Sequence, residues 1–433
     1  MPNKRARDVS SFRTYRVLVS LGIVSAVAEL AYGIMNQSAI PPYVQELGLT
    51  AHIGVIYAAF LVSETIFKSP LGSLGDRIGR RPIIVFGALI SSASAFGMTL
   101  VHQLWGLISL RILDGLAAGA IWPTMVAAIG GSVPPGRRTS GMSVLTVTYI
   151  AGLAVGPLIG GVANDYTDSR LTSFYVISAL FLMTAIAAIF LIPQRSKEDL
   201  EAIKKGRRQV SFSDVMLGLK SVPDMMVVAF LAFFAVGLCI PIVKLFVMNE
   251  LGMSETGYGG LMLPAALIVA AASLVAGRLG DHWGKATSVR LGIGVSMLAM
   301  WVVTIVREPW ELAVAGAFIG IGFVLAMPAW LALVSDMAAP WIRGAVIGGL
   351  GTAQGIGGVM GAAAGSYLYN LATISFFGIG TNSHYSPFVV SAFSLTACTV
   401  LALIFIRAGG KKTDWCLIRT PRITKSPWNK ETP

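Results

Sequence analysis

Twelve apolar runs occupy most of the chain, and each is long enough to cross a membrane. A transmembrane helix needs about 20 apolar residues to span a hydrocarbon core about 30 Å thick. The runs lie near 17–37, 53–74, 82–101, 104–129, 141–163, 172–193, 224–247, 257–279, 288–306, 310–334, 345–370 and 386–407. They predict an all-α polytopic membrane protein with about 12 transmembrane helices, the first of which is too long for the apolar core of a signal peptide and is expected to be retained.

Composition excludes the soluble classes of protein. Hydrophobic residues make up 55% of the 433 positions and charged residues only 12%, whereas soluble domains are about 25% charged. The three cysteines (Cys239, Cys398 and Cys416) and the four histidines have no metal-ligand spacing. The chain also has no Walker loop, no His-Glu-x-x-His and no Gly-x-Ser-x-Gly. We therefore expect no enzyme, no ATP-driven pump, no metal site and no cofactor.

Basic residues indicate how the chain is oriented. Of the 33 Lys and Arg residues, 28 fall on one side of the predicted membrane, and only Arg170 and Arg307 fall on the other. The remaining three, Lys68, Arg111 and Lys244, fall inside or at the ends of spans. Such an excess marks the cytoplasmic side, so both termini are predicted to be cytoplasmic. This topology explains the net charge of +12 without a nucleic-acid partner.

The longest polar segment, residues 194–222, separates the first six predicted spans from the last six. The predicted domains are a cytoplasmic N-terminal tail (1–16), an N-terminal six-helix half (17–193), a cytoplasmic linker (194–222), a C-terminal six-helix half (223–407) and a cytoplasmic C-terminal tail (408–433). The predicted location is a bacterial cytoplasmic (inner) membrane or one derived from it, and the predicted state is a monomer in the lipid bilayer.

The two halves repeat one another at a constant offset of 205 residues. Gly72, Leu74, Asp76, Gly79 and Arg80 correspond to Gly277, Leu279, Asp281, Gly284 and Lys285. The same offset relates Gly152, Gly156 and Gly160 to Gly357, Gly361 and Gly365. Because six spans separate the copies, the halves share one orientation, as in parallel-repeat transporters. This predicts two six-helix pseudo-repeats around a central cavity.

These segments resemble the major facilitator superfamily over nearly the whole chain. GSLGDRIGRRP (72–82) is similar to its cytoplasmic signature loop, and GRLGDHWGK (277–285) to the second copy of that loop. GLAVGPLIGG (152–161) and RILDG (111–115) resemble motifs of the twelve-helix drug:proton antiporter branch, although Asp114 stands where a neutral amide is more usual. The resemblance implies a secondary active transporter.

The resemblance also implies residues that switch the conformation. In the signature loops, Gly72, Asp76, Gly79, Arg80 and Asp281 are candidates for a conformational switch, in which ion pairs of the charged residues form in one state and break in another; a permanent structural contact is the alternative. On the fifth span, Gly152, Gly156 and Gly160 line one helix face, and Pro157 can kink the helix. These four residues are candidates for a deformable gate, with tight helix packing as the alternative.

Charged residues inside the spans are candidates for proton coupling or substrate binding, because each is costly in a bilayer. Glu29, Tyr32 and Asn36 share one face of the first span. Arg111 and Asp114 are three residues apart, and Glu64 lies four before Lys68, so both pairs can form ion pairs. Lys244 is expected to extend its ammonium group to the membrane interface.

Three classes of function remain open at this stage. The leading hypothesis is proton-coupled export of small amphiphilic compounds by alternating access, with a small-molecule substrate and protons as partners. A uniporter or symporter for a metabolite, siderophore or metal ion such as iron keeps the same fold. A non-transporting membrane scaffold or sensor is the third class, and the charges buried in the spans argue against it.

Overall fold

A computed structural model describes residues 4–132, 138–192, 194, 223–337, 343–371, 373–376 and 379–406. Most of the predicted linker (194–222) and the predicted C-terminal tail (408–433) lie outside these residues, as do the side chains of Asp76 and Asp281.

Helices form nearly all of the described chain. They are α1 Lys4–Ile34, α2 Ile40–Glu46, α3 Ile53–Ile78, α4 Arg80–Met98, α5 Leu104–Ser132, α6 Arg138–Thr167, α7 Thr172–Leu191, α8 Pro223–Cys239, α9 Val243–Asn249, α10 Glu255–Trp283, α11 Lys285–Val303, α12 Pro309–Met337, α13 Arg343–Tyr369 and α14 Ser386–Phe405. A π-helix, Met35–Ala39, joins α1 to α2 without a break. The prediction of an all-α polytopic fold is confirmed, and a short antiparallel hairpin of β1 (Thr373–Phe376) and β2 (Ile379–Asn382) is an addition to it.

Eleven helical segments of the described chain are long and apolar enough to cross a membrane. The first runs from Val17 to Glu46 through α1, the π-helix and α2, and the seventh joins α8 to α9. α13, with 27 residues, packs against α8 and α3 in the position of a further span. The bundle thus has the helices that the hydropathy pattern predicts.

Equivalent residues of the two halves make equivalent contacts. Gly79 (φ +104°) separates α3 from α4, and Gly284 (φ +87°) separates α10 from α11. Both positions need glycine, because other L-residues rarely adopt positive φ. The glycines of α6 face α1, and their copies on α13 face α8, at the same places in the repeat.

Buried apolar residues form three clusters, which differ in how they divide between the halves. We name the two ends of the bundle after the predicted topology: the inner end lies opposite the outer end, and the outer end carries the connections near residues 47–52, 168–171, 250–254 and 370–371. The largest cluster lies there and includes residues of both halves, such as Tyr43, Phe174, Phe246 and Tyr258. Toward the inner end, one cluster belongs to the N-terminal half and another to the C-terminal half. Among the described residues, the halves therefore share a core only toward the outer end.

Lys244 contradicts its predicted position. Its side chain is 1% exposed and pairs with Glu255 at 2.7 Å instead of reaching the membrane interface. The prediction is wrong because the seventh span is not one straight helix. The helix is interrupted after Cys239, so the side chains of the short helix α9 point in other directions than a continuous helix would give them. Lys244 therefore points into the protein, where its ammonium donates to the backbone oxygen of Ser38 in the other half.

Candidate functional site

Arg111 of α5 is the centre of a charged network inside the N-terminal half. Its side chain is fully buried, and Nη1 donates to a carboxylate oxygen of Asp114 at 2.6 Å. The guanidinium carbon lies 4.1 Å from the ring centre of Phe60 and 5.6 Å from that of Tyr57, both on α3. Such aromatic contacts stabilise a desolvated cation. The i,i+3 ion pair expected from the sequence is therefore present.

Asn36 brings the first span into this network. Its side-chain oxygen accepts a hydrogen bond from Nη2 of Arg111 at 2.7 Å, and its backbone oxygen accepts one from the Tyr57 hydroxyl. Asn36 lies in the π-helix, where the wider turn displaces the residues that follow from their α-helical positions. π-helical turns occur frequently at functional sites.

Tyr32 connects to the same network from the other side. Its hydroxyl lies 3.1 Å from the Ser91 hydroxyl, and Ser91 donates to Asp114 at 2.8 Å. Together with the Arg111 contacts, this forms a continuous hydrogen-bonded chain from Tyr32 to Asn36. The predicted residues Tyr32, Asn36, Arg111 and Asp114 thus meet in one group, in which Arg111 and Asp114 are fully buried.

Glu29 lies beside this group without joining its hydrogen bonds. In the part of the chain that the structure describes, its carboxyl has no hydrogen-bond or ion-pair partner. Its charge interacts electrostatically with Glu64 of α3 and with Tyr32. Among the described residues, no hydrogen bond or ion pair joins Glu29 to the Arg111 guanidinium, which is hydrogen-bonded to Asp114 and Asn36 instead. The role of Glu29 in proton coupling or substrate binding stays a prediction.

Glu64 and Lys68 form the ion pair expected from their spacing. The Lys68 ammonium lies 2.7 Å from the Glu64 carboxylate, and the side chains are 44% and 19% exposed, respectively. Close packing holds this part of α3 against α5, where Gly115 and Gly119 contact the backbone next to Phe60 and Glu64.

Replacing Lys68 by methionine is expected to change the free energy of unfolding by less than about 1 kcal/mol, because a half-exposed ion pair contributes little to stability. Denaturant titration of the purified protein in mixed micelles measures this change. A loss above about 2 kcal/mol would instead mean that the pair is shielded from water.

The glycines of α6 allow α1 and α6 to pack closely. A Cβ atom on Gly156 would lie 2.7 Å from the carbonyl carbon of Gly33, and one on Gly152 would lie 2.5 Å from that of Glu29. A Cβ atom on Gly160 would meet Ser38, whose hydroxyl donates to the Pro157 carbonyl at 3.4 Å. The packing expected of these glycines is present, and it joins two helices of one half. The gating role of these residues and Pro157 stays a prediction.

The signature-loop residues lie at the inner end. Gly72 of α3 faces Pro123 of α5, Gly79 forms the turn described above, and Arg80 begins α4. Asp76 belongs to α3 and Asp281 to α10. Their role as a conformational switch stays a prediction.

Sequence reasoning missed three members of the network. Tyr57 and Phe60 lie one helical turn apart in an apolar run, and only their helical spacing could have suggested a shared face. Ser91 is one of three serines in the segment Ser91-Ser92-Ala93-Ser94, so its contact with Asp114 had no distinguishing signal.

Comparison with known sequences identifies the family. The family model of the Major Facilitator Superfamily matches residues 21–239 and 225–425. The tetracycline resistance protein of class H from Pasteurella multocida is 24% identical over 339 residues, which cover 78% of this chain and 84% of that protein. The multidrug resistance protein MdtG from Enterobacter lignolyticus (strain SCF1) is 26% identical over 340 residues, which cover 76% of this chain and 79% of that protein.

A solved structure agrees with the fold. The crystal structure of a variant of the nucleoside transporter NupG superposes with a TM-score of 0.75 over 90% of this chain and 100% of that one, at 13% identity. The family match covers both halves of the bundle, and the apolar helices make the chain an integral membrane protein. The protein is a transporter of small molecules rather than an enzyme, and it belongs to the Major Facilitator Superfamily.

Proposed function

We propose that this chain is a secondary active transporter that exports small amphiphilic compounds in exchange for protons, by alternating access of a site between its two halves. The Glu29 carboxyl carries the proposal, because it is ionisable, lies inside the first span and has no hydrogen-bond or ion-pair partner among the described residues. An ionisable side chain inside a span is costly in a membrane protein, and such residues mark ion and proton pathways.

In this proposal, the network beside Glu29 transmits its protonation to the helices. A proton on Glu29 removes its repulsion with Glu64 and its interaction with the Tyr32 hydroxyl. Tyr32 is hydrogen-bonded through Ser91 to the Asp114–Arg111 pair, and Arg111 holds Asn36 in the π-helix. A change at Glu29 therefore reaches α1, α3, α4 and α5 through direct contacts.

The distribution of buried clusters supports alternating access. The halves share an apolar core toward the outer end, while each has its own cluster toward the inner end. This arrangement is that of a transporter closed at its outer end. Similarity to proteins named for tetracycline and multidrug resistance supports export of amphiphilic compounds.

We further propose that the protein is a monomer in a bacterial inner membrane, with both termini and the linker 194–222 in the cytoplasm. The excess of basic residues on the inner side supports the proposed orientation. Two family matches, over 21–239 and 225–425, support a division into two halves, for which we propose the bounds 17–193 and 223–407, with tails at 1–16 and 408–433.

Transport by purified protein in inverted proteoliposomes tests the proposal. With an imposed proton gradient, wild-type protein is expected to accumulate ethidium, whereas Glu29→Gln accumulates no more than protein-free vesicles do. Exchange of ethidium without a gradient needs no net proton flux, so Glu29→Gln is expected to retain it. Glu308→Gln, a change of the same kind in an exposed loop, serves as the matched control and is expected to behave as wild type.

Two results would contradict the proposal. If Glu29→Gln accumulates ethidium under the gradient, Glu29 is not the coupling group. If the wild type exchanges ethidium but never accumulates it, the protein is a uniporter, and proton coupling is excluded for this substrate.

A further inference from the structure

A second group of charged residues lies at the outer end, between the two halves and apart from the Arg111 network. Lys244 and Glu255 belong to the C-terminal half, and their side chains are only 1% and 6% exposed. Ser38, Asn164 and Arg170 of the N-terminal half surround them. We call these five residues the outer latch.

The outer latch joins the halves through direct polar contacts. The Lys244 ammonium donates to the backbone oxygen of Ser38 at 2.6 Å and contacts its hydroxyl at 3.1 Å. The Asn164 side-chain amide donates to the Glu255 carboxylate at 2.9 Å, and Arg170 Nε lies 3.4 Å from its other oxygen. Each of these contacts has one partner in each half.

Backbone packing makes these contacts depend on the position of α6 against α10. A Cβ atom on Gly161 of α6 would lie 2.6 Å from the carbonyl carbon of Glu255. Next to it, the backbone N–H of Thr256 donates to the Asp165 carboxylate at 2.8 Å. Because the two helices touch backbone to backbone, any separation of their outer ends breaks the polar contacts together.

The Lys244–Glu255 pair itself remains when the halves separate, because both residues lie in the C-terminal half, 2.7 Å apart. In the closed arrangement, Lys244 has an acceptor for each of its three ammonium protons: Glu255 and the two oxygens of Ser38. A buried ion pair stabilises only when such hydrogen bonds are complete. Ser38, Asn164 and Arg170 supply the missing bonds in the closed arrangement, and water supplies them in the open one.

We propose that the outer latch holds the outer end of the transporter closed, and that its contacts across the halves break each time the outer end opens. The proposal goes beyond export and proton coupling and requires neither, since it concerns which end of the bundle is closed. Loss of the Glu255 charge removes the ion-pair partner of Lys244 and the carboxylate that links it to Arg170, which leaves Arg170 paired, among the described residues, only within its own half, with Glu46, and favours separation of the halves.

Distances between spin labels at the outer end test this proposal. The labels are placed at Tyr166→Cys in the N-terminal half and Ile305→Cys in the C-terminal half, whose native side chains are 89% and 74% exposed, in full-length protein with Cys239, Cys398 and Cys416 replaced by alanine. With the native latch, a single short distance is expected to dominate. In Glu255→Gln, the ratio of long to short distances is expected to rise by about tenfold or more, as loss of a charge-assisted hydrogen bond predicts.

Two further variants keep the test decisive. Arg170 is partly exposed, so Arg170→Gln is expected to fold and to shift the ratio in the same direction by a smaller factor, even if Glu255→Gln cannot be purified. Glu311→Gln removes another carboxylate of the C-terminal half at the outer end, one that within the described chain accepts hydrogen bonds only from backbone N–H groups of its own half. Glu311→Gln is expected to give the same distribution of label distances as the protein with the native latch.

The proposal is overturned if Glu255→Gln and Arg170→Gln give the same label distances as Glu311→Gln. Since no substrate or gradient is present, this result is independent of the ethidium assay.

Discussion

Replacing Arg111 by methionine is expected to lower the free energy of unfolding by about 3–5 kcal/mol, the usual cost of removing one partner from a buried ion pair. Asp114 is fully buried, and its nearest cation is the Arg111 guanidinium at 2.6 Å. Without that cation, the carboxylate stays in the protein interior with only the Ser91 hydroxyl as a donor. Asn36 loses its hydrogen bond to the guanidinium at the same time.

The double variant Arg111→Met/Asp114→Asn is expected to regain more than half of the lost stability, because a neutral amide needs no counter-ion. Denaturant titration in mixed micelles, followed through the nine tryptophans, measures both variants. The ethidium assay then separates stability from function: the double variant is expected to fold and still fail to accumulate ethidium. Equal losses in the single and double variants would exclude the uncompensated charge as the cause.

Gly156→Val is expected to destabilise the N-terminal half by about 2–3 kcal/mol or more, the range of overpacking in a close-packed interior. The added side chain would meet backbone atoms of Gly33 and Ile34, at 2.7 and 2.8 Å from the new Cβ. Backbone cannot rotate away as a side chain can, so α1 and α6 must move apart. That movement displaces Glu29, whose backbone packs against Gly152 on the same helix face.

Gly316→Ala is the matched control for this variant. Gly316 lies inside α12, and a Cβ atom placed there meets nothing within 4 Å. Alanine in an open helical position is expected to leave stability unchanged or raise it by about 0.5–1 kcal/mol. Thermal unfolding and gel filtration of the two variants measure the difference. Equal unfolding temperatures and elution profiles for Gly156→Val and Gly316→Ala would show that α1 and α6 can move apart at a lower cost than their close contact suggests.

Much of the fold could be predicted because a bilayer requires each spanning helix to have about 20 predominantly apolar residues. Runs of apolar residues give the number of helices, and the 205-residue offset anticipates the matching turns at Gly79 and Gly284. The Arg111–Asp114 and Glu64–Lys68 pairs could be predicted too, because partners three or four apart on one helix always lie close together. These features depend only on local geometry.

Contacts between distant segments could not be predicted in the same way. Asn36 and Arg111 are 75 positions apart, and nothing in either segment indicates that they touch. The outer latch could not be predicted from the sequence for a second reason. Glu255 follows a Gly-Met-Ser turn and has the sequence context of a solvent-exposed loop residue. Hydropathy gives the depth of Lys244 in the membrane but not the direction in which α9 turns it.

The π-helix at Met35–Ala39 makes the first span sensitive to chain length. Deleting one residue there would restore an ordinary α-helix, turn everything that follows by about 100° and shift it by about 1.5 Å. Ser38 would then no longer accept the hydrogen bond from Lys244. Likewise, the Tyr43 hydroxyl would no longer donate to the carbonyl of Met98. Homologous chains that lack the extra residue would need different partners at the outer end, so a single-residue gap at this place in an alignment would divide the relatives into two structural groups.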